Sequence, residues 1–286
     1  MDDITPKNDS INTTGDDFLR RHEPRWNKSK EQAWDELQAR LDAAPARTES
    51  LPARRIWPRW AAAASLALLL GTALFARLHT RTIGAAAGER LSALLPDGSR
   101  ITLNSESAAS FHPYWWWRAR AVELSGEAFF EVEPGADFAV LSEQGATRVL
   151  GTSFNVFARG QAYQVTCLTG KVGVSVAGDR HELRPGMTLR HHEGQPTELL
   201  QLDDPGQAAL WRDDVLAFAD RPLREVLDEL ERQYGSRLVL PEGLDLRYTG
   251  QFGKPAELEM ALALVCRPFG LEFARAEDGS YTLSRP

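Results

Sequence analysis

Residues 60–76 read WAAAASLALLLGTALFA, a run with no charge in it, closed by Arg59 on one side and Arg77 on the other. At about 1.5 Å of rise per residue, such a helix is roughly 26 Å long, against a hydrocarbon core of about 30 Å. The two arginines can snorkel their heads to opposite surfaces, and Trp57 and Trp60 suit the headgroup level. A helix that is apolar on every side lies either deep in a protein core or in lipid, and the basic brackets favour lipid. A cleavable leader has a similar composition but stands at the chain start, whereas here polar and charged residues 1–59 come first. The expected division is an arm over residues 1–58, a transmembrane helix over 59–77 and a long folded part beyond.

Arg40, Arg47, Arg54, Arg55 and Arg59 flank the span on its N-terminal side, and Arg77, Arg81 and Arg90 on the other. The positive-inside rule then puts the arm in the cytoplasm and the folded part across the membrane. The formal net charge of −7 and the lack of a basic patch in the folded part argue against direct nucleic-acid binding. Cys167 and Cys266 both sit in apolar patterns and read as small buried hydrophobes, with a bridge as the alternative. Their spacing fits no metal or thiol-redox motif. His191 and His192 are adjacent and face opposite sides of a strand, so they chelate poorly. No cofactor or metal is expected.

In the arm, residues 1–17 have no apolar period and read as disordered. Ser29 can cap a helix over residues 30–41, with Gln32 at the reach-back position of a capping box. Ala33, Trp34, Leu37 and Leu41 form one apolar stripe on it. So short a helix is marginal alone in water, and the stripe calls for a partner groove or, alternatively, the membrane surface.

From Leu91 to about Leu202 the period changes to two. Short apolar runs such as Arg100-Ile101-Thr102-Leu103 and Phe154-Asn155-Val156-Phe157 alternate with turn signals, among them Asp97-Gly98, Ser125-Gly126, Thr169-Gly170 and Pro185-Gly186. This spacing indicates an all-β sandwich or jelly-roll-like domain over residues 78–202. Phe129, Phe130, Leu150, Phe154 and Val156 read as its core, and Glu127 and Glu131 as solvated or hydrogen-bonded strand residues. Residues 203–213 break the pattern and read as a linker. Over 214–286, helices opened by Pro222 and Pro255 alternate with short strands, which suggests a small α+β module of two β-α-β units with both helices on one sheet face.

Several runs in the β-region resemble the motifs of the FecR family of membrane anti-sigma regulators, of the iron-dicitrate sensor type. They are Leu95-Pro96-Asp97-Gly98-Ser99-Arg100-Ile101-Thr102-Leu103-Asn104, Ser125-Gly126-Glu127-Ala128-Phe129-Phe130-Glu131-Val132 and Val149-Leu150-Gly151-Thr152-Ser153-Phe154-Asn155-Val156. Leu168-Thr169-Gly170-Lys171-Val172-Gly173-Val174 and Leu183-Arg184-Pro185-Gly186-Met187 match the closing strands. The last seventy residues or so resemble the C-terminal domain of FecR-type proteins common in Bacteroidetes-like receptor systems.

The resemblance implies a single-pass inner-membrane regulator with its C-terminal domains in the periplasm. Trp26, Trp34, Leu37 and Leu41 of the arm would hold an extracytoplasmic-function sigma factor. The C-terminal module would receive a signal from the signalling domain of a TonB-dependent outer-membrane receptor. Some relatives nick themselves at a Gly-Thr bond, which makes Gly151-Thr152 a candidate self-cleavage site, a β-bulge glycine being the plainer alternative. No assembly of nucleophile, base and oxyanion donor points to an enzyme. The rival function is a membrane-tethered binding module for a glycan or siderophore, whose supporting feature is the aromatic run Tyr114-Trp115-Trp116-Trp117. Read as a strand, that run would face both sides.

Overall fold

The computed structural model describes residues 27–43, 57–240 and 245–285. It divides into two units, Met1–Ala62 and Ala63–Pro286. In the first, helix α1 (Lys30–Ala43) begins with a reciprocal capping box. The Gln32 amide donates to Ser29 Oγ at 3.2 Å and the Ser29 amide donates to Gln32 Oε1 at 3.2 Å, so two of the unpaired donors at the helix start are satisfied. Glu36 pairs with Arg40 one turn on and with Lys28.

Helix α2 (Trp57–Leu78) carries the apolar run. Its stretch Trp60–Leu78 is long and apolar enough to cross a membrane and none of its residues is buried, which sets it apart from a core helix. Thr72 keeps its hydroxyl satisfied internally, on the carbonyls of Leu68 and Leu69 at 2.9 and 3.0 Å.

A large mostly-β domain follows. Its strands are β1 (Arg81–Ala85), β2 (Leu91–Leu94), β3 (Arg100–Leu103), β4 (Ser107–Phe111), β5 (Arg120–Glu131), β6 (Phe138–Leu141), β7 (Gly145–Val149), β8 (Ser153–Arg159), β9 (Ala162–Cys167), β10 (Val172–Val176), β11 (Asp179–Leu183), β12 (Met187–His192) and β13 (Glu198–Gln201). One layer runs β1-β4-β5-β6-β7-β10-β11 and the other β2-β3-β5-β8-β9-β12-β13. Strand β5 belongs to both. Its first half pairs with β4 and, in parallel, with β6; its second half pairs with β3 and β8.

The crossover lies at Gly126, with φ +110°. Ser125-Gly126 is therefore a bend inside one long strand rather than the turn expected from sequence. Side chains of both layers fill one core, including Ile101, Val122, Phe130, Phe138, Phe154 and Val174. Of the expected core residues Leu150 is an exception, 66% exposed, and Phe129 packs outside the main core against Ala209 and Trp211.

Residues 203–213 are more than a tether, since Pro205–Asp213 forms a 3-10 helix capped by Asp204. The C-terminal module then contains β14 (Val215–Pro222), α3 (Leu223–Tyr234), β15 (Leu238–Val239), β16 (Arg247–Gly253), α4 (Leu258–Cys266), β17 (Glu272–Arg275) and β18 (Tyr281–Ser284). Helix α3 ends at Gly235, whose φ of +66° suits the left-handed cap. The element order carries the expected repeat, but the strands pair between its two halves: β14 with β16, and β15 in parallel with β18, which also pairs with β17. The module therefore holds two small sheets around its own core, which includes Leu223, Leu227, Leu262 and Leu283, in place of one sheet carrying both helices.

Candidate functional site

Three motif runs of the β-domain converge where it meets the C-terminal module. Asn104 ends the first run, Glu127 lies in the second and Asn155 in the third. Asn104 Nδ2 donates to Glu127 Oε2 and Asn155 Nδ2 to Glu127 Oε1, each at 2.8 Å. The bend at Gly126 delivers Glu127 there, and the Glu127 amide donates to Ser107 Oγ at 3.0 Å.

From the module, α3 contributes Glu229, Arg232 and Gln233. Gln233 Nε2 donates to Asn104 Oδ1 and to Glu229 Oε1, both at 2.8 Å, and Arg232 Nη2 donates to Glu229 Oε2 at 2.8 Å. The Gly88 amide adds a backbone bond to the Arg232 carbonyl at 2.8 Å. Arg221 of β14 reaches Gln164 of β9 at 2.8 Å. The 3-10 helix closes one flank: Trp211 Nε1 donates to Asn155 Oδ1 at 3.3 Å and the Arg212 guanidinium stacks 3.7 Å over Phe129. Arg90 holds the Trp211 carbonyl at 2.7 Å and pairs with Asp214 at 2.7 Å.

A cleft of about 680 Å³ opens beside this node, lined by Glu127, Arg159, Trp211, Glu229 and Arg232 among others. Burial raises the Glu127 carboxyl above the usual carboxylate range and the Glu229 charge adds to the rise, while Asn104, Asn155 and Arg159 act against it. Arg159 gives its Nη atoms to the Ser105 and Glu106 carbonyls at 2.6 and 2.9 Å, and its buried Nε has no partner among the described residues. Asn104 and Gln164 bond across the seam to Gln233 and Arg221, and the Gly88 amide to the Arg232 carbonyl, so the arrangement latches two domains.

The residues expected to act are placed elsewhere. Trp34, Leu37 and Leu41 all lie exposed on α1, and Trp26 falls outside the described residues. Gly151 and Thr152 connect β7 to β8. Gly151 has φ +154°, and a side chain there would meet Pro134 Cα at 2.8 Å. The Thr152 hydroxyl is buried without a partner among the described residues. The aromatic run forms a 3-10 turn, Pro113–Trp115, instead of a strand. Trp116 is buried, and the Trp115 and Trp117 rings are tilted by 55° to each other.

Sequence reasoning missed Asn104, Asn155, Glu229 and Gln233, and read Glu127 as a strand residue. One signal was available: Asn104, Glu127 and Asn155 stand inside, or at the end of, the resemblance runs.

Fold and seam define a class: a β-domain and an α+β module latched through shared motif residues behind one apolar helix. Residues 81–173 match the family model for FecR protein and residues 215–283 that for the FecR C-terminal domain. The chain belongs to the FecR family. It is similar to two crystal structures of a candidate anti-sigma factor from Parabacteroides distasonis, at 2.50 and 1.65 Å resolution. Their TM-scores are 0.69 and 0.68 at 26% and 27% identity, over 73% and 72% of this chain and 100% and 99% of theirs. No curated protein sequence matches the chain.

Proposed function

We propose that the chain is a single-pass inner-membrane anti-sigma regulator. Its arm sequesters an extracytoplasmic-function sigma factor in the cytoplasm, and its periplasmic C-terminal module takes a signal from the signalling domain of a TonB-dependent receptor. Family membership and the anti-sigma relatives support a regulator. The observation that carries the sigma-binding part is the stripe of α1: Trp34, Leu37 and Leu41 are 60%, 49% and 67% exposed on a helix capped at its N-terminus. A helix so capped, with its apolar residues bare, is suited to lie in a hydrophobic groove. In the module, β17 pairs on one side only among the described residues, an edge on which a receptor strand can add. The test is co-purification of the full chain with the sigma factor. Trp34→Ala should abolish recovery, and equal recovery with wild type overturns the assignment.

Self-cleavage at Gly151-Thr152 is supported by the bare Thr152 hydroxyl beside the positive-φ glycine. The hydroxyl attacks the Gly151 carbonyl carbon, the peptide C–N bond breaks as the Thr152 nitrogen takes up the proton, and water then hydrolyses the ester to a Gly151 carboxylate and the restored hydroxyl. Two fragments persisting in Thr152→Ala would exclude it.

A further inference from the structure

The aromatic turn after β4 has no part in the regulator as proposed, yet it is one of the most exposed apolar features of the β-domain. Its anchor is Trp116, buried edge-on between Phe111 and Phe138 with ring centroids 5.7 and 5.9 Å away. With Trp116 fixed inward, Tyr114 and Trp117 turn outward, 56% and 78% exposed. Large rings with a polar tip, held bare on a rigid turn, are what membrane-interface belts are made of.

The position of the turn identifies what covers it. The Tyr114 ring lies 6.2 Å from Phe75 and 5.3 Å from His79, at the C-terminal end of α2. The Arg77 guanidinium sits 5.5 Å from the Trp115 ring centroid. His112 fastens the same corner, its Nδ1 lying 3.2 Å from the His79 carbonyl oxygen. The apolar stretch ends at Leu78, so the rings stand level with the exit of the helix from hydrocarbon. The headgroup layer on each side of a bilayer is about 5–8 Å deep, room enough for rings packed beside the helix end. Arg81 and Arg118 are exposed nearby, and neither has a side-chain partner among the described residues. Free guanidinium groups at this level meet lipid phosphates.

We propose that residues 113–118 seat in the phospholipid headgroup layer of the leaflet from which the C-terminal end of α2 emerges. Tyr114, Trp115 and Trp117 lie at the interface, and Arg77, Arg81 and Arg118 face phosphates. The β-domain is then held against the bilayer at two points instead of swinging on one tether. A load on the domain is thereby delivered to the end of α2. The inference rests on α2 crossing the membrane.

The test uses the full chain in phospholipid nanodiscs doped with a nitroxide lipid, labelled either near the headgroup or deep in the acyl chain. The chain has 8 tryptophans, so each site is read as the emission lost in a variant: Trp115→Phe/Trp117→Phe for the turn and Trp60→Phe for the far end of the span. Phenylalanine preserves the ring, and Trp117 is largely exposed, so the fold is retained; unchanged far-ultraviolet circular dichroism verifies it. The emission lost from the turn should be blue-shifted and quenched more by the shallow nitroxide than by the deep one. If that component is quenched by aqueous iodide and by neither lipid, while the Trp60 component is lipid-quenched, the turn faces water or a protein and the inference falls alone. If neither component is lipid-quenched, α2 does not span, and both readings fall.

Discussion

Replacing Gly126 with alanine tests whether β5 is held as the strand common to both layers. Gly126 has φ +110°, and an added Cβ would lie 2.5 Å from Ser107 Oγ, 2.6 Å from its Cβ and 2.8 Å from its Cα. Placing an L side chain in that sparsely allowed region costs about 1–3 kcal/mol. Because Ser107 Cα is backbone of β4, rotating the serine cannot relieve the overlap, and shifting a packed strand costs about 1–3 kcal/mol more. Moving Ser107 also weakens its 3.0 Å bond from the Glu127 amide, a net loss of about 1 kcal/mol. The expected destabilisation is roughly 3–7 kcal/mol, a large share of the 5–15 kcal/mol typical of a folded domain. Guanidinium unfolding of the full chain in mild detergent, followed by tryptophan fluorescence, measures it. Ser107→Gly removes two of the three colliding atoms, so the Gly126→Ala/Ser107→Gly pair should recover about 1–3 kcal/mol through coupling. A Gly126→Ala chain within about 1 kcal/mol of wild type, or a cycle without coupling, refutes the reasoning.

Two further outcomes concern buried titratable groups. Burial and the Glu229 charge raise the Glu127 carboxyl in the folded chain, so above its ordinary value of 4.5 the folded state holds more protons than the unfolded state. Its contribution is therefore most favourable below that value and is lost as pH rises through the raised one; Glu127→Gln should flatten this part of the stability profile, and an unchanged slope refutes the assignment. Cys167 and Cys266 are free and buried, and burial pushes each thiol up to about 11. Neither should react with an aromatic disulfide reagent at about pH 8 until the chain is unfolded; fast modification of the native chain would contradict the packing.

Signals confined to one turn or one strand were legible in the sequence. Ser29 and Gln32 need only three residues of separation to build their box, and the uncharged run before Arg77 needs only its own length. The strand pattern of β3, β8 and β10 follows from alternation. What failed depends on distant partners. Gly126 reads locally as a turn because its positive φ is common there, yet β4 and β8 pair on either side of it and keep the strand continuous. The aromatic run reads as strand by propensity, but Pro113 and the pocket between Phe111 and Phe138 turn it instead. Leu150 reads as core from its neighbours and is displaced outward at the irregular Gly151. The seam was illegible for the same reason: Asn104 meets Glu127 across 23 residues of chain and Gln233 across 129, and periodicity carries no information about such pairings.

The energetics of that seam differ from those of the domains it joins. The β-domain and the module each close their own hydrophobic core with no residue in common. What binds them is mostly polar, and polar bonds exchanged for water are worth only about 0.5–1.5 kcal/mol each. The Glu229 charge also acts against an ionised Glu127, so parting the domains relieves that repulsion and rehydrates the buried Glu127 carboxyl. The joint should therefore open at a cost of a few kcal/mol while both cores stay folded, as polar interfaces within a chain permit. Gln233→Ala isolates this step, because Gln233 bonds Asn104 and Glu229 through Nε2 and takes a bond from Lys254 at 3.1 Å through Oε1. Losing the one of these bonds that crosses the seam, to Asn104, should speed exchange of the Gly88 amide, which bonds the Arg232 carbonyl, by up to about tenfold, since a hydrogen bond is worth about 0.5–1.5 kcal/mol and every 1.4 kcal/mol is a factor of ten. Amides of β8, inside the β-core, should keep their wild-type rates. If both sets accelerate together, the seam and the core open as one unit, and a signal arriving at the module would have to unfold the β-domain to be felt.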